Sequence, residues 1–292
     1  MKTEIFGGDA SDADRPVTEL GEFLRSRRDR LSPEEAGVHS YGRRRVPGLR
    51  REELAQLAGV SMTYLTRLEQ GQSQNASDEV IDALARALHL DTDERAHLFF
   101  LARPVPPRRP RASRPEMAKS GAEQLLHSMG EVPAVLLGRF NDILAWNRPG
   151  HLLLAGHVDP EAPSRIEERP NQLRMLFLDP HTRDLYVDWE DEAALAVASL
   201  RYVAAQFAND RRLAELVGYL SVNSPEFARL WADHDVRLCT SGSKRFRHPS
   251  VGELTLRYEV LHLPEGNGQR ILTHTAEAGS PSYAALRLLL SS

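Results

Sequence analysis

The sequence predicts an α + α/β protein of two domains, an all-helical N-terminal domain followed by a mixed α/β C-terminal one. Three observations carry this expectation. At 292 residues the chain is long for one compact unit. Between Arg103 and Pro115 it holds five prolines and five arginines in thirteen residues, a composition that cannot continue a helix and favours extended, hydrated backbone. Before that stretch apolar residues recur with a helical period, whereas after it short strand-like runs alternate with helical ones. The expected organisation is a disordered start over 1–16, a helical domain over 17–102, a linker over 103–118 and an α/β domain over 119–292.

In chain order, residues 1–15 are acidic and rich in Gly, Asp and Ser, too polar to bury a core. From Val17 to Arg30, Leu20, Phe23 and Leu24 fall on one side of a helix with Leu31 beyond it, and Thr18 is placed to cap its start. Residues 32–48 form a connector containing Pro33, Pro47 and a cluster of arginines. Helical periodicity resumes at Arg50, breaks at Gly59 and runs to about Ala102, with capping residues at Ser77 and at Asp91 or Thr92. Beyond the linker, strands are expected over 134–138 and 143–146, then helices over 190–208, 211–220 and 225–234. Strands over 236–240, 253–263 and 269–276 and a last helix over 282–290 complete the reading, with Gly266-Asn-Gly268 as a hairpin turn.

Composition narrows the function classes. A hydrophobic fraction of 41% with 27% charged residues is that of a soluble globular protein. No apolar run is long enough to span a bilayer, and the first residues lack a secretory layout, so a cytoplasmic protein without membrane contact is expected. The single cysteine, Cys239, excludes an intrachain disulfide and a cysteine-rich metal site. The net charge of −4 is unevenly placed: residues 1–118 carry 19 basic and 19 acidic side chains, so the whole negative excess lies in the second domain. Within the first, the span Arg43 to Arg51 contains five arginines and no acid, a strip suited to phosphates.

Directly behind that strip lies the most informative segment, Leu49 to Gly71. A short helix places Leu54, Ala55, Leu57 and Ala58 inward. Gly59 stands where a tight turn needs positive φ, and Ser61 is a good N-cap for the next helix. On that helix Leu65 and Leu68 point to one side. Met62, Thr63, Thr66, Arg67 and Gln70 share an arc of about 140° on the other, at 100° per residue. A core face, a polar face and a capped N-terminus make a helix-turn-helix able to enter a major groove. Arg67 is the best candidate for reading a base, because a guanidinium can grip guanine O6 and N7 together. Met62 and Thr63 offer methyl groups to thymine, with Thr66 beside them. Arg51 and Ser61, one at the start of each helix, and Gln70 are candidates for positioning the domain on phosphates. Arg43, Arg44 and Arg45 are placed to follow the backbone or reach a minor groove. Glu69 reads as structural, satisfying arginine or backbone groups inside the domain.

These residues resemble a known family. Ala58-Gly-Val-Ser followed by Leu65, Leu68, Glu69 and Gly71 is similar to the Xre family of regulators, with the DNA-binding domain of Cro and the lambda repressor. The run Arg43-Arg-Arg-Val-Pro-Gly-Leu-Arg-Arg-Glu-Glu-Leu, then Tyr64-Leu-Thr-Arg-Leu-Glu-Gln-Gly, resembles the MmyB-like regulators more narrowly. So do Asp188-Trp-Glu, Ser224-Pro-Glu-Phe, Leu230-Trp-Ala-Asp-His-Asp-Val and Val251-Gly-Glu-Leu beyond the linker. The resemblance implies a five-helix, lambda-repressor-like N-terminal bundle and a PAS-like C-terminal domain that in relatives is thought to bind a small molecule such as a fatty acid. It also implies a homodimer on a double-stranded DNA operator, with Met62, Thr63 and Arg67 at the positions that face base edges.

No catalytic arrangement is visible in the second domain. Its histidines are scattered without H-E-x-x-H or comparable spacing, so no metal site is expected; Ser241-Gly-Ser243 lacks the nucleophile-elbow frame; and Cys239 is expected on a strand, buried. Apolar and aromatic residues suffice to line a pocket: Leu136, Ile143, Trp146, Leu173, Leu176, Phe177, Trp189, Leu200, Phe207 and Trp231. Asp188, His234 and Arg237 are candidates for its polar ends. A small-molecule sensor is the first reading, and a ligand-free dimerisation or partner-recruiting module the alternative. A DNA-tethered enzyme is the least supported.

Overall fold

The computed structural model describes residues 18–38, 46–72, 76–103, 115–207, 210–264 and 268–291. The start over 1–16, Arg43 to Arg45, most of the proline-rich stretch and the tip of the turn at 266–267 lie outside the described residues. The chain divides into two compact units, Met1–Val105 and Pro106–Ser292.

The first unit contains the expected five helices: α1 (Glu19–Arg30), α2 (Arg51–Leu57), α3 (Met62–Glu69), α4 (Asp78–Ala87) and α5 (Thr92–Ala102). Local chemistry sets their starts. The Thr18 hydroxyl accepts from Gly21 N and the Ser77 hydroxyl from Val80 N, while Asp91 and Glu94 form a reciprocal capping box at α5. Leu24, Leu54, Leu65, Leu68, Leu84 and Leu98 are fully buried between the helices. α1 crosses α3 closely, and only glycine fits there: a β-carbon on Gly21 would lie 1.8 Å from the Glu69 carbonyl oxygen. The buried charges are paired, with Arg27 Nε 2.7 Å from Glu94 and Arg28 donating to the Leu49 carbonyl oxygen at 2.7 Å.

The second unit is built on a five-stranded antiparallel sheet in the order β2-β1-β5-β4-β3, the strands being β1 (Ala134–Leu137), β2 (Ile143–Trp146), β3 (Ser241–His248), β4 (Gly252–His262) and β5 (Arg270–Thr275). Residues 236–240, expected as a strand, are not one; the pairing begins at Ser241. Cys239 therefore lies off the sheet, half-buried, with its Sγ 3.3 Å from the Tyr258 hydroxyl.

Eight helices of this unit are described. α6 (Ser120–Ser128) covers one sheet face, packing Ala122 and Leu126 on Ala134, Leu136 and Ile271. The opposite face carries α7 (Arg148–Ala155), α8 (Gln172–Leu178), α9 (Pro180–Leu185), α10 (Trp189–Ala204), α11 (Arg211–Asn223), α12 (Pro225–Ala232) and α13 (Pro281–Ser291). There Leu153, Phe177, Val197, Leu216, Phe227 and Leu286 meet Phe246, Leu254 and Leu256 in the main core. Both border strands have neighbours other than strands: Val187 N donates to Arg245 O beside β3, and Ile143 N donates to Pro170 O beside β2. No helix among the described residues is long and apolar enough to cross a membrane.

Candidate functional site

Two features can carry function, one in each unit. The first is the α2–α3 pair. Leu54, Ala55 and Ala58 are buried as expected, but Leu57 is 41% exposed. At 100° per residue Leu57 lies about 110° from the centre of the face the other three share, so it leaves the core at the helix end. Gly59 has φ +66°, and a β-carbon there would meet nothing, so the turn requires its backbone freedom and not its small size. Val60 N then donates to Ala55 O, and the Ser61 hydroxyl accepts from Tyr64 N at 3.1 Å, starting α3.

α3 divides by face. Leu65 and Leu68 are fully buried, while Met62, Thr63 and Arg67 are exposed and Thr66 and Gln70 half-buried. The Thr66 hydroxyl donates to Met62 O at 2.9 Å, which turns it back along its own helix and leaves Met62, Thr63 and Arg67 as the outward group. Glu69 is 2% exposed and holds two arginines: Arg51 Nε donates to it at 2.5 Å, and Arg28 Nε lies 3.5 Å away. Arg51 is thus fixed at the first turn of α2 by an ion pair, with its side chain 45% exposed. Arg43, Arg44 and Arg45 lie outside the described residues.

The second feature is a cavity between the sheet and helices α8 and α10. It leaves about 80 Å³ for the centres of water-sized molecules, room for several waters or a comparable length of aliphatic chain. Its walls are largely apolar, with Ile143, Leu173 and Leu176 among them as expected and Leu137, Leu195 and Val260 besides. Three charged side chains interrupt that wall. Lys244 and Glu192 form a buried ion pair, and the Lys244 ammonium lies 4.6 Å over the Tyr258 ring. Arg270 is the third. It donates to Gly138 O at 3.0 Å and to the Asn141 side-chain oxygen, and among the described residues no carboxylate lies within ion-pair distance, the Glu116 charge acting from farther off. Asn141, which presents that oxygen, holds a left-handed backbone at φ +66°. Burial lowers the Arg270 pKa to about 10. Burial and, behind it, the Glu192 charge push the Tyr186 phenol well up, while burial and the Arg270 charge push His262 down.

The other pocket candidates, among them the aromatic Trp146, Phe177, Trp189, Phe207 and Trp231 and the charged Arg237, do not line this cavity. The Trp146 indole donates to Pro160 O, and the Trp189 indole to Leu176 O. Phe177 packs edge-on against Trp189 and Phe227, Phe207 against Phe140, and Trp231 stacks on Phe227 beneath the Arg201 guanidinium. Arg237 is exposed, and Asp188 is paired with Arg245. The reason is that aromatic rings satisfy one another in the core, whereas the cavity needs branched aliphatic walls and a few charges. Sequence reasoning missed Glu192, Lys244 and Arg270. Lys244 carried a faint signal, as one of only three lysines in the chain.

The family model of the MmyB-like transcription regulator ligand binding domain matches residues 118–289, and that of a helix-turn-helix domain matches residues 19–98. No match is found among curated proteins. The first match alone covers more than half of the chain and contains the whole described sheet with its cavity, while the second contains the α2–α3 pair with its exposed polar face. The chain belongs to the MmyB-like transcription regulators, DNA-binding proteins that join a helix-turn-helix domain to a ligand-binding domain.

Proposed function

We propose that this chain is a sequence-specific regulator, not an enzyme, that binds a double-stranded DNA operator as a homodimer and is controlled by an anionic amphiphile of the fatty-acid type held in the C-terminal cavity. The observation that carries the ligand half is Arg270. A guanidinium buried in an apolar cavity and hydrogen-bonded only to neutral oxygens among the described residues fits a carboxylate headgroup better than a neutral ligand, and the aliphatic wall fits the tail. The DNA half rests on the outward trio of α3, in which Arg67 reads a guanine and Met62 and Thr63 touch thymine methyls. Arg51, Ser61 and Gln70, with Arg43 to Arg45, position the domain on phosphates.

Two measurements test this. Binding to an operator selected from random DNA should lose base preference at one position in Arg67→Ala, with discrimination falling by about 1–3 kcal/mol. Arg44→Ala should weaken all sequences alike and flatten the salt dependence. Equal loss on every sequence for Arg67→Ala would sink its assignment. Native mass spectrometry of the intact protein should show a co-purified or added fatty acid, with affinity reduced at least about tenfold in Arg270→Gln, the scale of one lost charge-assisted contact. A cavity that takes no amphiphile at any concentration favours the dimerisation module, and sedimentation that gives a monomer at all concentrations with and without DNA removes the homodimer.

A further inference from the structure

We infer that His157, Asp179 and His181 form a binding site for a divalent transition-metal ion of the zinc class on the outer side of the cavity wall. The three residues come from separate places. His157 follows α7 by two residues, Asp179 is the junction between α8 and α9, and His181 stands in the first turn of α9. Twenty-two residues of chain separate the two nearest contacts, His157 Nε2 and Asp179 Oδ2, which lie 2.6 Å apart. His181 Nδ1 lies 3.7 Å from Asp179 Oδ1. The two imidazole rings stack at 4.6 Å between centroids and 12° between planes, and one ligand atom from each of the three residues lies within 4.8 Å of the others.

A tetrahedral zinc with bonds of about 2.0–2.1 Å separates its ligand atoms by about 3.4 Å. The two distances to the carboxylate bracket that value, and because a metal lies in the plane of each imidazole it binds, the stacked rings must swing apart about their side-chain bonds for both nitrogens to reach one ion, a rotation open to the exposed His181. Two imidazoles and one carboxylate with an open side suit zinc, cobalt or nickel, whereas magnesium and calcium require a shell of oxygens. The carboxylate is already oriented by others: His181 N donates to Oδ1 at 3.0 Å and the Thr182 hydroxyl to Oδ2 at 2.8 Å, the outer-shell support that metal ligands normally have. Both histidines are partly open to solvent, which gives an ion a path in.

The consequence lies on the inner side of the same wall. Thr182, which steadies Asp179, also lines the cavity, as do Leu154 on α7 and Met175 on α8. An ion at this site ties the end of α7 to the α8–α9 junction and so stiffens three wall elements at once. The site stands on its own geometry, whatever occupies the cavity.

The test uses the untagged full chain, stripped with a chelator and titrated with Co²⁺, then Zn²⁺. The expected result is one Co²⁺ per chain, with the visible absorption bands of low coordination, bleached by Zn²⁺ and unaffected by excess Mg²⁺. His157→Ala and His181→Ala should each weaken binding by about tenfold or more, at least the scale of losing an outer-shell partner. His181 is the safer variant because its side chain is 71% exposed, so its metal-free melting curve should match that of the wild type. Asp179→Asn keeps a capping acceptor while removing the charge, and should weaken binding as well. Absence of stoichiometric Co²⁺ binding, or affinity unchanged in both histidine variants, would overturn the assignment.

Discussion

The two units of this chain treat buried charge in opposite ways. In the helical unit Arg27 faces Glu94, and Arg28 and Arg51 converge on Glu69, so each described cation of the interior has a carboxylate across from it. In the α/β unit Lys244 is answered by Glu192, yet the described hydrogen bonds of Arg270 go to neutral oxygens, with the Glu116 charge beyond ion-pair distance. His274 on β5, 1% exposed, has neither ring nitrogen partnered among the described residues. Closed pairs hold a shape fixed, here that of the helix pair whose exposed face is on α3. Of Arg270 and His274, Arg270 lines the cavity, and an incompletely answered group in a cavity wall suits a ligand-binding domain.

The sharpest way to break this comparison is Glu69→Ala. It strands Arg28 and releases Arg51, and removing one partner of a buried ion pair costs about 3–5 kcal/mol. Chemical unfolding followed in the first unit should show that loss, and a change below about 1 kcal/mol would mean Glu69 is not the anchor. The second unit is broken by acid. Burial, and next the Lys244 charge, lower the His274 pKa to about 3, against about 6.5 in an unfolded chain. As pH falls the unfolded chain takes the proton first, so this contribution is full above about pH 6.5 and is lost progressively between there and about 3. In His274→Leu the acid-side slope of unfolding free energy should shrink by about 1.4 kcal/mol per pH unit over that window; identical slopes would refute it. The smallest effect expected is that of Ser61→Ala, which removes the α3 cap and should cost about 1 kcal/mol, with DNA affinity falling alongside.

The same contrast governs what the sequence could disclose. The helical unit was legible because its determinants are local: Thr18, Ser61, Ser77 and Asp91 each cap a helix that begins at the next residue, and Gly59 marks its turn by backbone chemistry alone. Glu69, expected to satisfy arginine groups inside the domain, does so with Arg28 and Arg51. In the α/β unit β3 was missed, since Ser-Gly-Ser-Lys-Arg-Phe-Arg-His has few apolar residues and its inward positions are Lys244, Phe246 and His248. The charged part of the cavity lining is hidden from the sequence for a related reason. Glu192, Lys244 and Arg270 meet only through the pairing of β3, β4 and β5 and the packing of α10, and long-range pairing leaves no spacing to read.

The occupied borders of the sheet bear on how two copies could meet. A free edge would offer a second chain a ready ladder of amides and carbonyls, the simplest route to pairing and also to runaway strand stacking. Here Val187 already uses the Arg245 carbonyl beside β3, and Pro170 the Ile143 amide beside β2. The charged side chains of Arg245 and Arg247 further roughen the β3 border. At those points a second strand cannot add, and contact between copies there would have to be written in side chains, where it can be tuned one residue at a time.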